Sequence, residues 1–294
     1  MFESGTPAVS ADLPAPGAWE VPTQTVEIRP PQPWTALNLK ELWGFRGLLA
    51  FLVWRDLRLR YTQTVLGLVW AVVKPLSVVA IFSLVFGWLV QLPSDGLPYP
   101  LFAYCALLPW QLFAHTLVGV SACLVANQNL LTKVYFPRLV LPFSALVVGW
   151  LDFLIALTVL VGMVLYYHVP LTGNLWAAPL LVLLASMTAM GVGLWLSVLN
   201  VRYRDVGHML PFLIQGWLFA TPVIYPSSLV PDSWRVVMGL NPMVSVVDGM
   251  RWAILGSASP AGSMVALSVG VAALLFLSGI YWFRRTEQTF ADEV

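Results

Sequence analysis

Long apolar segments are the feature that most constrains how this chain of 294 residues can fold. They recur between residues 66 and 282, and each approaches the length of about 20 mostly apolar residues that an α-helix needs to cross a bilayer. The sequence therefore predicts transmembrane helices, with boundaries good to a few residues. The six predicted spans are 66–89, 101–125, 140–166, 176–199, 206–224 and 264–282.

The low content of charged residues supports this prediction. Only 10% of the residues are charged and 59% are hydrophobic, whereas a soluble domain is about 25% charged. Lipid must therefore cover much of the exterior, and the predicted class is an all-α integral membrane protein. A net charge of +1 indicates neither nucleic acid nor an acidic partner.

Basic residues predict the orientation of the spans, because Lys and Arg near span ends stay in the cytoplasm. With a cytoplasmic N-terminus, the outer side receives only Arg235 and Arg251. The cytoplasmic side receives Arg55, Arg58, Arg60, Lys133, Arg138, Arg202, Arg204, Arg284 and Arg285. Both termini are therefore predicted to be cytoplasmic.

The segments outside the spans divide into three kinds. Residues 1–36 are rich in Pro, Ala and Thr and are predicted to be a disordered tail. Residues 39–61 combine apolar residues at helical spacing with several arginines, which is typical of an amphipathic helix lying in the membrane interface. Residues 243–255 are apolar but too short to cross, so we expect a re-entrant helical hairpin on the outer side, between spans five and six.

Three motifs occur in order within this predicted topology. Arg55-Asp56-Leu57-Arg58-Leu59-Arg60-Tyr61 runs into Leu66-Gly67-Leu68-Val69-Trp70 and Lys74-Pro75-Leu76. Asn127-Gln128-Asn129-Leu130-Leu131 precedes Lys133-Val134-Tyr135-Phe136-Pro137-Arg138. Arg202-Tyr203-Arg204-Asp205-Val206 is followed by residues 219–226 and by Asn241-Pro242. Together they resemble the permease subunits of ABC exporters that move O-antigen, capsule or teichoic-acid chains, over residues 39–285.

This resemblance implies a function and a set of partners. Residues 37–290 would form the transmembrane domain of an ABC exporter in the bacterial inner membrane. Two copies of the permease would assemble with two cytoplasmic ATPase subunits that carry ATP and Mg. A lipid-linked polysaccharide would leave through a channel between the two permeases. The family often has an uncharged polar residue where Lys74 stands, so the role of that position is left open.

Alternatives to a polysaccharide permease also stay open. An exporter of teichoic acid, another glycan, a lipid or a drug would share this architecture. A membrane-embedded glycosyl- or acyltransferase would need acidic residues near the surface. Asp205, Asp232 and Asp248 are available, although local pairing with Arg202, Arg235 and Arg251 explains them equally well. The particular polymer and its lipid carrier are not distinguished by the sequence.

No cofactor, metal or catalytic site is predicted in the chain. A phosphate-binding loop ends in Gly-Lys-Ser/Thr, but none of Lys40, Lys74 and Lys133 follows a glycine. ATP hydrolysis is therefore expected on a partner, and the chain is expected to be a transport protein and not an enzyme. His115, His168 and His208 lie in different regions, which argues against a metal site.

The segment between spans two and three is predicted to contact the ATPase. Residues 127–138 can form a short helix ending at Pro137, with aromatic anchors and basic polar contacts; an ordinary basic cytoplasmic loop is the alternative. The predicted contact residues are Asn127, Gln128, Lys133, Tyr135, Phe136 and Arg138, together with Arg55, Arg58 and Arg60 of the interface helix.

Aromatic side chains are the candidate lining of the channel, because their rings stack on sugar C–H faces. Packing within the chain or an interfacial aromatic belt is the alternative. The candidates are Trp110, Phe113, Trp217, Phe219, Tyr225, Phe82 and Phe86.

Two ionisable residues fall inside predicted spans, where charge is costly and indicates function. Lys74 and Asp152 lie about 12 and 18 Å from the same side of the membrane at about 1.5 Å per residue. They are predicted to form an ion pair. In the alternative, Lys74 extends to the interface and Asp152 binds a hydroxyl or water.

Overall fold

The computed structural model describes residues 39–61, 69–170 and 172–286. Within these ranges the chain is helical and contains no β-strand, as predicted. The α-helices are α1 Leu39–Gly44, α2 Arg46–Tyr61, α3 Val69–Phe82, α4 Tyr99–Ala126, α5 Gln128–Leu131, α6 Val140–Tyr166, α7 Ala178–Arg202, α8 Asp205–Ala220, α9 Asp232–Gly239, α10 Pro242–Leu255 and α11 Gly262–Thr286.

Several predicted segments lie wholly or partly outside these ranges. The predicted tail at residues 1–36, the first residues of span one and the last residues of the predicted domain fall there. The predicted interface helix is helical but divided, because a turn at Phe45 separates α1 from α2. Its apolar residues are not confined to one side: Leu52 is buried, whereas Phe51 and Trp54 are exposed.

Among the described residues, five helical segments are long and apolar enough to cross a membrane. The first joins α3 to a π-helical segment, Ser83–Leu89, and the others include α4, α6, α7 and α11. The predicted span 206–224 is different. Its helix, α8, has 16 residues, which is about 24 Å at 1.5 Å per residue, and the chain then becomes extended. Thr221 precedes Pro222, and a residue before proline is disfavoured in the α conformation.

The core is built on α4 and α7, which are covered on most sides by other helices of the chain. Close packing between α7 and α11 depends on glycines. A Cβ on Gly191 would lie 2.6 Å from the backbone carbon of Leu275, and one on Gly279 would lie 2.6 Å from the Gly191 carbonyl oxygen. Small residues of this kind let membrane helices approach closely. In contrast to α4 and α7, the segment containing α3 has only 11% of its residues buried.

One end of the helix bundle, here called the basic end, brings together the predicted cytoplasmic segments. The Asn200 side-chain amide near the end of α7 donates to the Ser121 carbonyl oxygen near the end of α4, at 3.1 Å. Phe283 of α11 and Leu52 of α2 are buried in the same apolar cluster. Basic side chains on these helices and on the segment between α4 and α6 include Arg55, Lys133, Arg138, Arg202 and Arg284.

The short helices α9 and α10 form a hairpin between α8 and α11. Its turn is at Asn241, whose side-chain oxygen caps α10 by accepting from the Met243 backbone amide at 3.1 Å. From this turn α10 runs toward the end of the bundle that lies opposite the basic end. There the Thr172 hydroxyl donates to the Ala253 carbonyl oxygen. With 14 residues, α10 is about 21 Å long, short of the ~30 Å hydrocarbon core of a bilayer.

Candidate functional site

A buried arginine on α10 holds the extended segment that follows α8. Arg251 is 2% exposed. Its Nη1 donates to the Pro222 carbonyl oxygen at 2.7 Å, and its Nη2 donates to the Val223 carbonyl oxygen at 2.8 Å. The guanidinium carbon lies 3.6 Å from the centroid of the Phe102 ring. Two consecutive backbone acceptors of this non-helical stretch are thus satisfied by one side chain, and a buried acceptor left without a donor is costly.

Asp248 balances the charge of this arginine, and Ser227 forms a hydrogen bond with Asp248. Asp248 Oδ1 lies 3.7 Å from Arg251 Nη1, as its position three residues earlier on the helix predicts. The Ser227 hydroxyl donates to Asp248 Oδ2 at 2.5 Å.

Polar side chains also connect the hairpin turn to α8. Trp217 Nε1 donates to Asn241 Oδ1 at 2.9 Å, and Asn241 Nδ2 donates to Thr221 Oγ1 at 3.0 Å. The last turn of α8, the extended segment and α10 therefore form one polar network. We call it the hairpin network; it consists of Trp217, Thr221, Pro222, Val223, Ser227, Asn241, Asp248 and Arg251. The sequence suggested the Asp248–Arg251 pair but not the contacts of Arg251 with the backbone. The signal that could have indicated these contacts is an arginine inside an apolar stretch.

Three of the predicted channel aromatics pack against one another inside the chain. Trp110 and Phe113 are buried on α4, with ring centroids 5.3 Å apart. Phe113 contacts Trp217 of α8 edge to face, with centroids 4.9 Å apart. In this arrangement Trp110 and Phe113 have no surface to offer a polymer. Their placement corresponds to the packing alternative.

The other predicted aromatics lie nearer the surface. Phe219 is exposed, and the hydroxyl of the half-buried Tyr225 donates to its carbonyl oxygen at 3.2 Å. Phe82 and Phe86 are partly buried, with ring centroids 5.8 Å apart. The prediction omitted Phe212, which is 81% exposed on α8. Phe219 follows seven residues later, a spacing that places both side chains on one face of α8 and that could have identified Phe212 from the sequence.

The segment between α4 and α6 contains less helix than predicted. Only Gln128–Leu131 is helical, and residues 134–137 are not, so the predicted helix ending at Pro137 was wrong. Val134, Tyr135 and Phe136 have low helix propensity, and Phe136 precedes a proline. Phe136 is 4% exposed and packs in the chain's own core, whereas Tyr135 is 65% exposed. Tyr135 is therefore the aromatic side chain available to a partner here.

The polar residues predicted to contact a partner have varied surroundings. Gln128 is half-buried, Lys133 is exposed and Arg138 is half-buried, while Asn127 Nδ2 donates to the Cys123 carbonyl oxygen at 2.8 Å. Arg55 forms an ion pair with Asp56 at 2.8 Å. The guanidinium of Arg58 lies 5.0 Å from the centroid of the Trp54 ring. The side chain of Arg60 lies outside the described residues.

The two ionisable residues within the spans have different neighbours. Asp152 Oδ2 lies 3.9 Å from Nδ1 of His115 on α4. The Lys74 side chain on α3 is exposed. The ion pair between Lys74 and Asp152 therefore stays a prediction.

Comparison with known proteins matches residues 47–255 to the family described as ABC-2 type transporter. An O-antigen export system permease protein RfbA of Myxococcus xanthus is 32% identical over 263 residues, covering 87% of this chain and 98% of that protein. An RfbA of Klebsiella pneumoniae is 28% identical over 220 residues, covering 74% and 83%. A polysialic acid transport protein KpsM of Escherichia coli is 24% identical over 243 residues, covering 80% and 91%.

Proposed function

The chain belongs to the ABC-2 type transporter family, and from this premise we propose that it is the membrane-spanning permease of an ATP-driven exporter. The proposed cargo is a lipid-linked, O-antigen-like polysaccharide. One observation carries the proposal: the similarity to the Myxococcus xanthus O-antigen export permease extends over 98% of that protein. An exporter of teichoic acid, another glycan, a lipid or a drug is the alternative.

The proposed orientation places the basic end in the cytoplasm and both termini on that side of a bacterial inner membrane. The positive-inside rule supports this, because Arg55, Lys133, Arg202 and Arg284 belong to the basic end. In this orientation α8 and the extended residues after it make the fifth of six crossings. The α9–α10 hairpin then enters the membrane from the outer side and returns to it.

Two copies of the chain are proposed to form the transport path between them. The segment containing α3 is only 11% buried. On α8, Met209, Phe212 and Phe219 are exposed. A second copy related by twofold symmetry would cover these faces and supply the missing wall of a channel. Of the predicted aromatics, Phe219, Tyr225, Phe82 and Phe86 keep a place in this proposed lining.

Two separate ATPase subunits are proposed to bind the basic end and to carry ATP and Mg. Tyr135 is the proposed aromatic anchor, with Lys133 and Arg138 beside it in the sequence. Phe136, packed in the core of the permease, is proposed to hold this loop in place and not to enter the ATPase surface.

The proposal is tested by reconstituting the chain with a candidate ABC ATPase subunit from the same organism and measuring association and ATP turnover. Tyr135→Ala is expected to weaken the complex by about tenfold or more, as loss of a buried aromatic anchor does. Tyr166→Ala is the matched control, because Tyr166 is 77% exposed at the other end of α6. A chain that neither binds the ATPase nor alters its turnover would refute the permease function.

A further inference from the structure

A cavity of about 300 Å³ lies at the basic end, between α2, α4 and α6. One part of its wall is polar and carries Arg55, Asp56 and Asn127. Another part is formed by small apolar residues, among them Gly119, Ala122 and Ala145. The cavity does not involve the hairpin network or the exposed face of α8.

The polar and apolar parts of the wall lie at different depths along the helices. Asn127 directly follows the last residue of α4, whereas Gly119 lies eight residues earlier, about 12 Å along the helix. Val148, which also lines the cavity, lies eight residues into α6. The cavity therefore leads from the polar ends of the helices into the apolar part of the bundle, a shape that suits an amphiphile.

The polar groups of the wall have unused hydrogen-bonding capacity. Arg55 donates to Asp56 Oδ1 through Nε at 3.0 Å and Nη2 at 2.8 Å. Among the described residues this leaves Arg55 Nη1 and Asp56 Oδ2 without a partner. Asn127 Oδ1 is buried and accepts no hydrogen bond from the described residues. One positively charged donor thus lines the same cavity as two acceptors, and a buried acceptor left unpaired is costly.

This combination selects a particular headgroup chemistry. The Arg55–Asp56 pair has no net charge, so it matches a zwitterion better than an anion. A phosphate accepts from Arg55, and a primary ammonium donates to Asp56 Oδ2 and Asn127 Oδ1. A quaternary ammonium carries no N–H group and leaves the Asn127 acceptor unpaired.

We propose that this cavity binds one bilayer phospholipid with a primary-amine headgroup, of the phosphatidylethanolamine type. The headgroup occupies the polar part, and the beginning of an acyl chain lies against Ala122, Ala145 and Val148. A volume of this size is at the lower limit of small-molecule pockets, about 300 Å³, so the rest of both chains stays in the bilayer. The bound lipid seats α2 against α4 and α6. It is a resident lipid and not the exported cargo, and the proposal does not depend on export activity.

The test measures which lipid the purified full-length chain retains. The chain is exchanged into mixed micelles with equal amounts of phosphatidylethanolamine and phosphatidylcholine of identical chains, and native mass spectrometry counts bound lipid. We expect one lipid per chain, with ethanolamine favoured about tenfold, the effect of one charge-assisted hydrogen bond. Free phosphoethanolamine at millimolar concentration is expected not to displace the lipid, because it lacks the apolar chain.

Two variants separate the headgroup from the cavity. Asp56→Asn keeps the size of a half-exposed side chain and removes its charge, so the preference for ethanolamine should fall to about twofold or less while total phospholipid is retained. Ala122→Leu fills the apolar part and should abolish retention of both lipids. Ala266→Leu, at an exposed position of α11 outside the cavity, is the control and should behave as the wild type.

Either of two results would overturn the proposal. Equal retention of the two lipids by the wild type would reject the headgroup assignment. Full retention by Ala122→Leu would reject the location. If Ala122→Leu does not elute as folded protein, Asp56→Asn decides alone, and an unchanged preference for ethanolamine would reject the site. Displacement by free phosphoethanolamine would show that the cavity binds the soluble headgroup and not a lipid.

Discussion

At the scale of single residues, Arg251 shows why an arginine and not a lysine suits this position. Its planar guanidinium reaches two consecutive carbonyl oxygens, those of Pro222 and Val223, with separate nitrogens. The same group faces the Phe102 ring and balances Asp248. A lysine ammonium is a single point of charge and does not reproduce this forked geometry.

Replacing Arg251 is therefore expected to destabilise the fold strongly. Arg251→Met leaves two backbone acceptors without a donor and the buried Asp248 carboxylate without its counter-charge, a loss of about 3–5 kcal/mol. Arg251→Lys should lose less, because it retains the charge. The unfolding temperature in detergent, followed by tryptophan fluorescence, is expected to fall in the order wild type, Lys, Met. Arg235→Met is the control, because it makes the same substitution at the arginine of the neighbouring helix α9. Equal unfolding temperatures for all four proteins would contradict the assigned role.

At the scale of the helices, the contact of α7 with α11 depends on the absence of side chains. The backbone atoms facing Gly191 cannot move without displacing α11, so a methyl group there separates the two helices. In a bilayer, association of helices rests on such close van der Waals packing because lipid removes the hydrophobic driving force.

A matched pair of Gly→Ala substitutions tests this contact. Gly191→Ala is expected to cost about 1–3 kcal/mol, the usual effect of overpacking a tight contact. Gly270→Ala, on α11 with open space around its Cβ position, should instead stabilise by about 0.5–1 kcal/mol, because alanine is the better helix former. Thermal unfolding of both variants is the measurement. A stabilised Gly191→Ala protein would show that the helices are not in close contact.

At the scale of the whole molecule, exposure is unequally distributed among the membrane helices. The helices α4 and α7 are covered by the chain itself, while α3 and α8 leave large apolar side chains uncovered. A homodimer would cover α3 and α8 and would place the path on its axis, as proposed above.

Cysteine crosslinking in native membranes tests this assembly. Both native cysteines, Cys105 and Cys123, are buried, which leaves little background reaction. Phe212→Cys on α8 is expected to give a covalent dimer with a short bis-maleimide. Leu274→Cys, exposed on α11, should remain monomeric under the same conditions because lipid covers that face. Dimer formation by Leu274→Cys and not by Phe212→Cys would place the interface elsewhere.

Much of the architecture was predictable from the sequence because its signals are local. Span length, apolar composition and the positions of basic residues are properties of short segments, and a bilayer constrains each segment separately. They predicted the helical class, the helices later seen as α4, α6, α7 and α11, and the short segment now seen as α10. The three motifs indicated the transporter family that the comparison with known proteins shows.

The burial of particular side chains was decided only by the tertiary structure. Trp110 and Phe113 fit an aromatic lining in sequence, but contact with Trp217 of α8 places them in the core. Phe136 and Tyr135 are neighbours, yet one is buried and the other exposed. The two carbonyl oxygens that accept from Arg251, those of Pro222 and Val223, lie 29 and 28 residues away along the chain. Each outcome depends on which helices meet and in what rotation, and hydropathy and spacing within one segment carry no information about either.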